Sequence, residues 1–298
     1  MTAQIIDGKQ IAADMRAELK AEVAKLKTQN IVPGLGVILV GEDPASQSYV
    51  TAKERACDEM GIYSDDNRMP ADTSQADLMA LVKKMNNDKK INGILVQLPL
   101  PKGLNESEVL LAIDPAKDVD GFHPMNVGKM VVGEQAFLPC TPHGIIQLLV
   151  RSGVKIEGAE VVIVGRSNIV GKPLMNMLVQ KKSMANATVT VCHTRTKDLS
   201  YHTKRADIVI AAAGRPNTVT ADMVKDGVVV IDVGVNRVED ATKKKGYRLV
   251  GDVDFEAVKE KASLITPVPG GVGPMTITML LYNTVESAKR AAGIDSAS

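Results

Sequence analysis

Short runs of Val, Ile and Leu, bounded by glycine or a polar turn and alternating with helix-like stretches, recur along this chain and fix its fold class. GLGVILVG (34–41) has the length of a strand and is too uniformly apolar to lie on a surface. Asp43 and Pro44 then supply a helix start, and the stretch through Ala52, Ala56 and Met60 meets a stop signal at Gly61. ADLMALVKKMNND (76–88) reads as an amphipathic helix and INGILVQLPLP (91–101) as another buried strand. Such alternation means parallel strands joined by helical crossovers.

A second series begins near residue 140. TPHGIIQLLVRSG (141–153) predicts a helix capped by Thr141, with Pro142 in its first turn and Gly153 as its stop. Strands are predicted at AEVVIVG (159–165), ATVTVCHT (187–194), ADIVIAAAG (206–214) and GVVVIDVG (227–234). The stretch 236–253 reads as a charged surface excursion with Lys243, Lys244 and Lys245 at its tip. After SLITPVPGGVGP the chain closes with a helix from about Met275 to Ala292 and the polar ending GIDSAS. The expected architecture is α/β: two α/β domains flanking a cleft, the second a Rossmann-like parallel-sheet dinucleotide-binding domain. The first domain is expected to be discontinuous, residues 1–139 plus 275–298, around a second domain at 140–274.

Composition excludes several function classes. At 298 residues the chain is long enough for two ordinary domains. A net charge of +1 gives no field for nucleic acid or anionic membrane, and aromatics at 3% with no Trp argue against base-stacking surfaces. Asp7 and Asp14 interrupt the N-terminus before any long apolar run, and no stretch approaches the roughly 18–20 apolar residues of a membrane span. Cys57, Cys140 and Cys192 have neither metal-ligand nor redox-motif spacing, and an odd set of thiols fits a reducing compartment. The histidines form no HExxH, so no metal is expected, and the protein is expected in the cytoplasm.

Two regions carry chemistry. EVVIVGRSNIVGKPLMNMLV (160–179) is a strand, a glycine turn and a helix, which aims free N–H groups at an anion such as a dinucleotide phosphate. Its Gly165 and Gly171 do not complete GxGxxG, and they serve either phosphate approach or strand–helix packing. At the end of the next strand, where an NAD site commonly has Asp or Glu, this chain has Thr194 and Arg195, with Arg166 across the turn. Hydroxyl and guanidinium groups suit a 2′-phosphate, which favours NADP over NAD. VPGGVGPMT (268–276) is a second glycine cluster, after the last sheet strand.

In the first domain, SYVTAK (48–53) sets Tyr49 and Lys53 four apart on one helix face. Tyr49 offers a flat face for ring stacking, and a Lys53 held among apolar neighbours has its pKa lowered towards the range of proton transfer. Gln97 ends a predicted strand. In KDVDGFHP (117–124), Asp118 and Asp120 are a turn motif, a metal pair, or one ligand-binding carboxylate beside one cap. A carboxylate accepts two parallel hydrogen bonds from a flat heterocycle such as a pterin.

Taken together, SQSYVTAK, GILVQLPLP, KDVDGFHP, PCTPHG, VGRSNIVGKP and TPVPGGVGPMT closely resemble the bifunctional methylenetetrahydrofolate dehydrogenase/cyclohydrolase family of the bacterial FolD type, in order and spacing, from about residue 5 to 290. The resemblance implies NADP-dependent oxidation of 5,10-methylenetetrahydrofolate to 5,10-methenyltetrahydrofolate, then hydrolysis to 10-formyltetrahydrofolate. It puts the catalytic Lys on Lys53, the stacking Tyr on Tyr49, the Gln on Gln97 and the pterin-binding Asp on Asp120. Val96 and Leu98 beside Gln97, and the loop from Pro269 through Gly270 to Gly273, would complete the folate site. Cofactor contacts would fall on Gly165, Arg166, Ser167, Thr194, Arg195, Val235 and Thr276. The family's partners are tetrahydrofolate derivatives, and its members form homodimers. Competing readings are an NADP-dependent dehydrogenase of a hydroxy acid or shikimate type, and a catalytically silent nucleotide-binding protein.

Overall fold

The structure is a computed structural model and describes residues 2–243 and 246–294. Lys244, Lys245 and the last residues of the GIDSAS ending therefore lie outside the described residues. The chain forms two compact units. One comprises Asp14–Cys140 and the chain from Ile277 on; the other comprises the chain up to Ala13 together with Thr141–Thr276. The strands, in chain order, are β1 (Gln4–Ile5), β2 (Gly34–Val40), β3 (Tyr63–Met69), β4 (Gly93–Val96), β5 (Glu160–Val164), β6 (Thr188–Cys192), β7 (Ile208–Ala211), β8 (Val229–Asp232), β9 (Asn236–Glu239), β10 (Tyr247–Val250) and β11 (Leu264–Ile265).

In the Asp14–Cys140 unit, β2 is the centre of a parallel three-stranded sheet in the order β3-β2-β4, with Ile38 opposite Val96. Every residue of β2 is buried, as its unbroken apolar run requires. One face is sealed by a core of Ile38, Val40, Leu78, Val82, Ile94 and Val96, with the helix Gln75–Asn87 supplying Leu78 and Val82. The helix Pro44–Met60 is defined at both ends as its sequence predicts. The Asp43 carboxylate accepts from the Ser46 N–H at 2.8 Å, and Gly61 closes it in the left-handed conformation at φ 73°. Asp43→Ala should cost about 1 kcal/mol of stability by freeing that donor. Denaturant unfolding of the two proteins would show it.

β3 is absent from the sequence reading, because YSDDNRM carries neither an apolar run nor an alternation. It exists through its backbone ladder to β2, from Gly34 opposite Tyr63 to Val40 opposite Met69.

The other unit holds a parallel six-stranded sheet, β1-β11-β8-β7-β5-β6. Its core gathers Val162, Val164, Val209, Val230 and Ile265. The N-terminal residues belong here rather than with the first domain, because Gln4 and Ile5 pair with Leu264 and Ile265 on the sheet's edge. The excursion at 236–253 is an antiparallel hairpin of β9 and β10, with the Arg237 guanidinium 5.0 Å from the Tyr247 ring centre. Thr141 is not a cap: the helix runs Cys140–Arg151, and the Thr141 hydroxyl lies 2.9 Å from that of Thr276. The last helix is Val272–Ala291.

Candidate active site

Lys53 sits on the buried side of the Pro44–Met60 helix, three residues before Ala56 and four before Cys57, both buried. Its side chain is only 8% exposed. The Nζ donates to Gln97 Oε1 at 2.9 Å, where β4 has just ended. The Gln97 amide in turn donates from Nε2 to the Leu98 carbonyl at 2.8 Å. That second bond fixes which end of the amide faces the lysine: the oxygen, an acceptor for the amine. Val96, the last residue of β4, is buried, while Tyr49, one helical turn before Lys53, is 50% exposed.

Asp118 and Asp120 divide their work. The Asp118 carboxylate accepts from the backbone N–H groups of Phe122 and His123 and from Asn126 Nδ2 at 2.8 Å. It is the organiser of the turn, and burial raises its pKa to about 6 against those hydrogen bonds. Asp120 instead lies near enough to the Lys53 amine for the two charges to act on each other. Burial lowers the Lys53 pKa, and the nearby Asp120 charge opposes that shift. Burial likewise raises Asp120, with the Lys53 charge opposing. The result is a lysine and a carboxylate that each moderate the cost of burying the other.

Cys140 completes this cluster and was not singled out from sequence, although it stands within PCTPHG. Its thiol donates to the Val119 carbonyl at 3.4 Å, and burial first, then Asp120, push its pKa well above the usual value. It is a protonated donor beside Asp120. Asn283, from the last helix, donates to the Val119 and Leu138 carbonyls at 2.7 and 3.0 Å. It thereby holds the two strands of chain that carry Asp120 and Cys140.

The second group of residues belongs to the six-stranded unit. Gly165 follows β5 at φ 139°, and a Cβ there would lie 2.1 Å from the Ala212 carbonyl oxygen. A Cβ on Gly171 would lie 2.1 Å from the Gly165 oxygen. Both glycines therefore serve close backbone packing around the turn. The helix Gly171–Leu178 starts at Val170 with no side-chain cap. Ser167 Oγ accepts the Val170 N–H at 3.1 Å, just ahead of the helix. Arg166, Ser167, Thr194, Arg195 and Val235 are exposed at the carboxyl ends of β5, β6 and β8. The 193–196 turn is braced internally, with the His193 N–H on Thr196 Oγ1 and the Arg195 N–H on His193 Nδ1. In the stretch 269–276, which runs from a turn into the first turn of the Val272–Ala291 helix, Gly270 has φ 109°, and the Gly271 carbonyl oxygen occupies the space a Cβ on Gly8 would need, 1.8 Å away. Exposed Pro269 and Gly273 and half-buried Thr276 complete that stretch.

A glycine turn into an uncapped helix on a six-stranded parallel sheet, together with a second α/β unit carrying a Lys–Gln–Asp cluster around a buried lysine, defines a two-domain α/β enzyme with a Rossmann-like nucleotide-binding domain. Residues 6–120 match the family model for the tetrahydrofolate dehydrogenase/cyclohydrolase catalytic domain, and residues 139–292 match that for its NAD(P)-binding domain. The chain belongs to the tetrahydrofolate dehydrogenase/cyclohydrolase family. The bifunctional protein FolD of Syntrophus aciditrophicus is 60% identical over 294 residues, 99% of this chain and 100% of that protein. The crystal structure of the Campylobacter jejuni bifunctional FolD dehydrogenase/cyclohydrolase superposes with a TM-score of 0.91 at 50% identity, covering 97% of this chain and 99% of the other. The Trypanosoma brucei enzyme, solved with NADP and an inhibitor, gives 0.92 at 40% identity, over 98% and 99%. The protein is accordingly a bifunctional folate enzyme, and the hydroxy-acid, shikimate and silent-binder readings are set aside.

Proposed function

We propose that one buried lysine, Lys53, is the proton-transfer group of the methenyltetrahydrofolate cyclohydrolase, in a protein that also oxidises 5,10-methylenetetrahydrofolate with NADP⁺. The observation that carries this reading is the 2.9 Å bond from Lys53 Nζ to Gln97 Oε1, in a site that lowers the lysine pKa. Methenyltetrahydrofolate is a cation, and water must lose a proton as it attacks. Of the two protons of that water, one is finally carried by N5 as the C–N5 bond breaks, and the other is released. A neutral Lys53 accepts the first and returns it to the leaving nitrogen, while Gln97 holds the amine on target. Asp120 pairs with the N–H and NH₂ edge of the pterin, Tyr49 stacks on its ring, and Val96, Leu98, Pro269, Gly270 and Gly273 line the folate.

The dinucleotide supplies the hydride acceptor, and the protein contributes orientation. Gly165 and the uncapped start of the Gly171–Leu178 helix fit its phosphates. Arg166, Ser167, Thr194 and Arg195 meet the 2′-phosphate, and Val235 and Thr276 border the cofactor. The domain division proposed is a folate domain and an NADP domain along the two units. The protein works as a homodimer in the cytoplasm; among the described residues no helix is long and apolar enough to cross a membrane.

The test is purified protein with 5,10-methylenetetrahydrofolate and NADP⁺ or NAD⁺ in parallel, following reduced cofactor and methenyltetrahydrofolate together. Reduced NADP without lasting methenyltetrahydrofolate is expected; faster reduction of NAD⁺ would overturn the cofactor assignment. Arg195→Ala should raise the KM for NADP⁺ by about 10- to 100-fold, the worth of one charge-assisted hydrogen bond, and leave that for NAD⁺ unchanged. Equal changes for both cofactors would remove Arg195 from the 2′-phosphate. The pH profile tests the lysine separately. If the neutral amine is active, cyclohydrolase rate climbs as pH rises through the Lys53 pKa. Asp120 opposes the burial that lowers this pKa, so Asp120→Asn should shift the rising limb to lower pH. A limb that stays in place would uncouple the two residues.

A further inference from the structure

Two carboxylates outside the residues assigned above sit back to back in the six-stranded unit. Asp232 ends β8 and is 2% exposed; Asp252 follows β10 and is fully buried. Asp232 Oδ1 accepts the N–H groups of Gly234 (3.0 Å) and Asp252 (2.9 Å), and Oδ2 accepts that of Val253 (3.0 Å). Asp252 Oδ2 accepts the N–H groups of Ala213 (2.6 Å) and Gly214 (2.8 Å), and Oδ1 accepts Asn236 Nδ2 (2.9 Å). Both carboxylates are thus held by neutral donors, and every one of those donors belongs to chain that follows β7, β8 or β10. The neighbouring glycines are shaped by the pair: a Cβ on Gly234 would lie 2.1 Å from Asp252 Oδ1, and one on Gly251 1.8 Å from Asp232 Oδ2. Asp-x-Gly at 232–234 and Gly-Asp at 251–252 are one structural unit read twice along the chain.

The bonds converge on the carboxyl ends of β7 and β8, the edge at which open parallel sheets take their ligands. Gly234 and Asn236 are each tied to the pair, so Val235 is clamped on both sides while its side chain stays 54% exposed. Ala213 and Gly214, on the adjoining loop, are exposed with their N–H groups tied inward. A large apolar side chain presented to solvent on a braced backbone is a preformed contact surface.

We propose that Asp252 is a positioning residue for the dinucleotide: its carboxylate sets the Ala213–Gly214 loop and the Val235 turn in one frame, so that the cofactor meets a surface already shaped. This rests on the reading that Val235 borders the cofactor. A carboxylate is required because both of its oxygens accept. Asn at this position has one oxygen: its NH₂ either faces the Ala213 and Gly214 N–H groups and releases that loop, or faces Asn236, whose amide must then turn and give up its bond to the Gly251 carbonyl.

The experiment compares NADP⁺ kinetics of the parent with Asp252→Asn, Asn236→Ala and Val235→Glu, with thermal unfolding and hydrolysis of preformed methenyltetrahydrofolate measured on each. Asp252→Asn should raise the KM for NADP⁺ by about tenfold or more, with kcat changed by less than about threefold and hydrolysis unchanged. Asn236→Ala removes one of the three bonds to Asp252, with the longer 3.2 Å bond to the Gly251 carbonyl, and should raise the KM by roughly three- to tenfold, which carries the test if Asp252→Asn does not fold. A folded Asp252→Asn or an Asn236→Ala with the parent's KM, or a loss confined to kcat, overturns the proposal. An unchanged KM in Val235→Glu overturns the underlying cofactor reading instead, and the proposal with it.

Discussion

Lys53→Met is expected to lower cyclohydrolase activity by about 10²- to 10⁴-fold, the usual contribution of a positioned proton-transfer group. Methionine fills nearly the same length without an amine, and a side chain that is 8% exposed accepts an apolar replacement without a packing defect. The local consequences are polar. Gln97 Oε1 loses its donor, and Asp120 loses the charge that opposes its burial, so its pKa should rise further. Methenyltetrahydrofolate should then accumulate while NADP⁺ is still reduced, because oxidation relies mainly on orientation of the reactants. A Lys53→Met protein that hydrolyses methenyltetrahydrofolate at the parent's rate would remove the lysine from the mechanism. Loss of both activities together with a lowered melting temperature would point to misfolding, so unfolding is measured alongside.

Gly165→Ala should produce the opposite dissociation. At φ 139° an alanine costs roughly 1–3 kcal/mol in backbone strain alone. Its Cβ would also press into the Ala212 carbonyl, 2.1 Å away, which a β7 strand buried along its whole length cannot easily yield. Overpacking of this kind adds about 1–3 kcal/mol. Both penalties fall on the turn proposed to meet the cofactor phosphates, so NADP⁺ reduction should drop by about 100-fold or more. Hydrolysis of supplied methenyltetrahydrofolate should persist, since Lys53, Gln97 and Asp120 all lie in the other unit. Parent-like NADP⁺ reduction by Gly165→Ala would show that the turn tolerates a side chain and that its glycine is not needed for close approach.

How much of this was legible depended on what held each element in place. β2, β4, β5, β7 and β8 announce themselves because both of their faces are buried, which forces an unbroken apolar run. β3 and the β9–β10 hairpin do not, since their polar side chains say nothing about the backbone ladders that define them. β1 is two residues long and has no pattern to read. In the site, the four-residue spacing of Tyr49 and Lys53 was visible, but the bond from Lys53 to Gln97 joins segments 44 residues apart. Family motifs, not periodicity, brought those together. Asp118 and Asp120 were indistinguishable until backbone donors chose one of them. Asp232 and Asp252 left no trace in sequence reasoning for a related reason: five of their six donors are main-chain N–H groups, and Asn236 is the one side chain that donates to the pair.

The N-terminal strand has a consequence for how the molecule comes into being. Because Gln4–Ile5 pairs with Leu264–Ile265, the first strand made must wait for the last of the described strands before it gains its hydrogen-bonded neighbour. The other unit waits as well, since Asn283 of the final helix secures the chain around Val119 and Leu138. A ribosome must therefore release almost the entire polypeptide before either half is complete. No single cut yields one half intact, so a fragment ending before residue 264 should be poorly soluble however well its own sheet is formed.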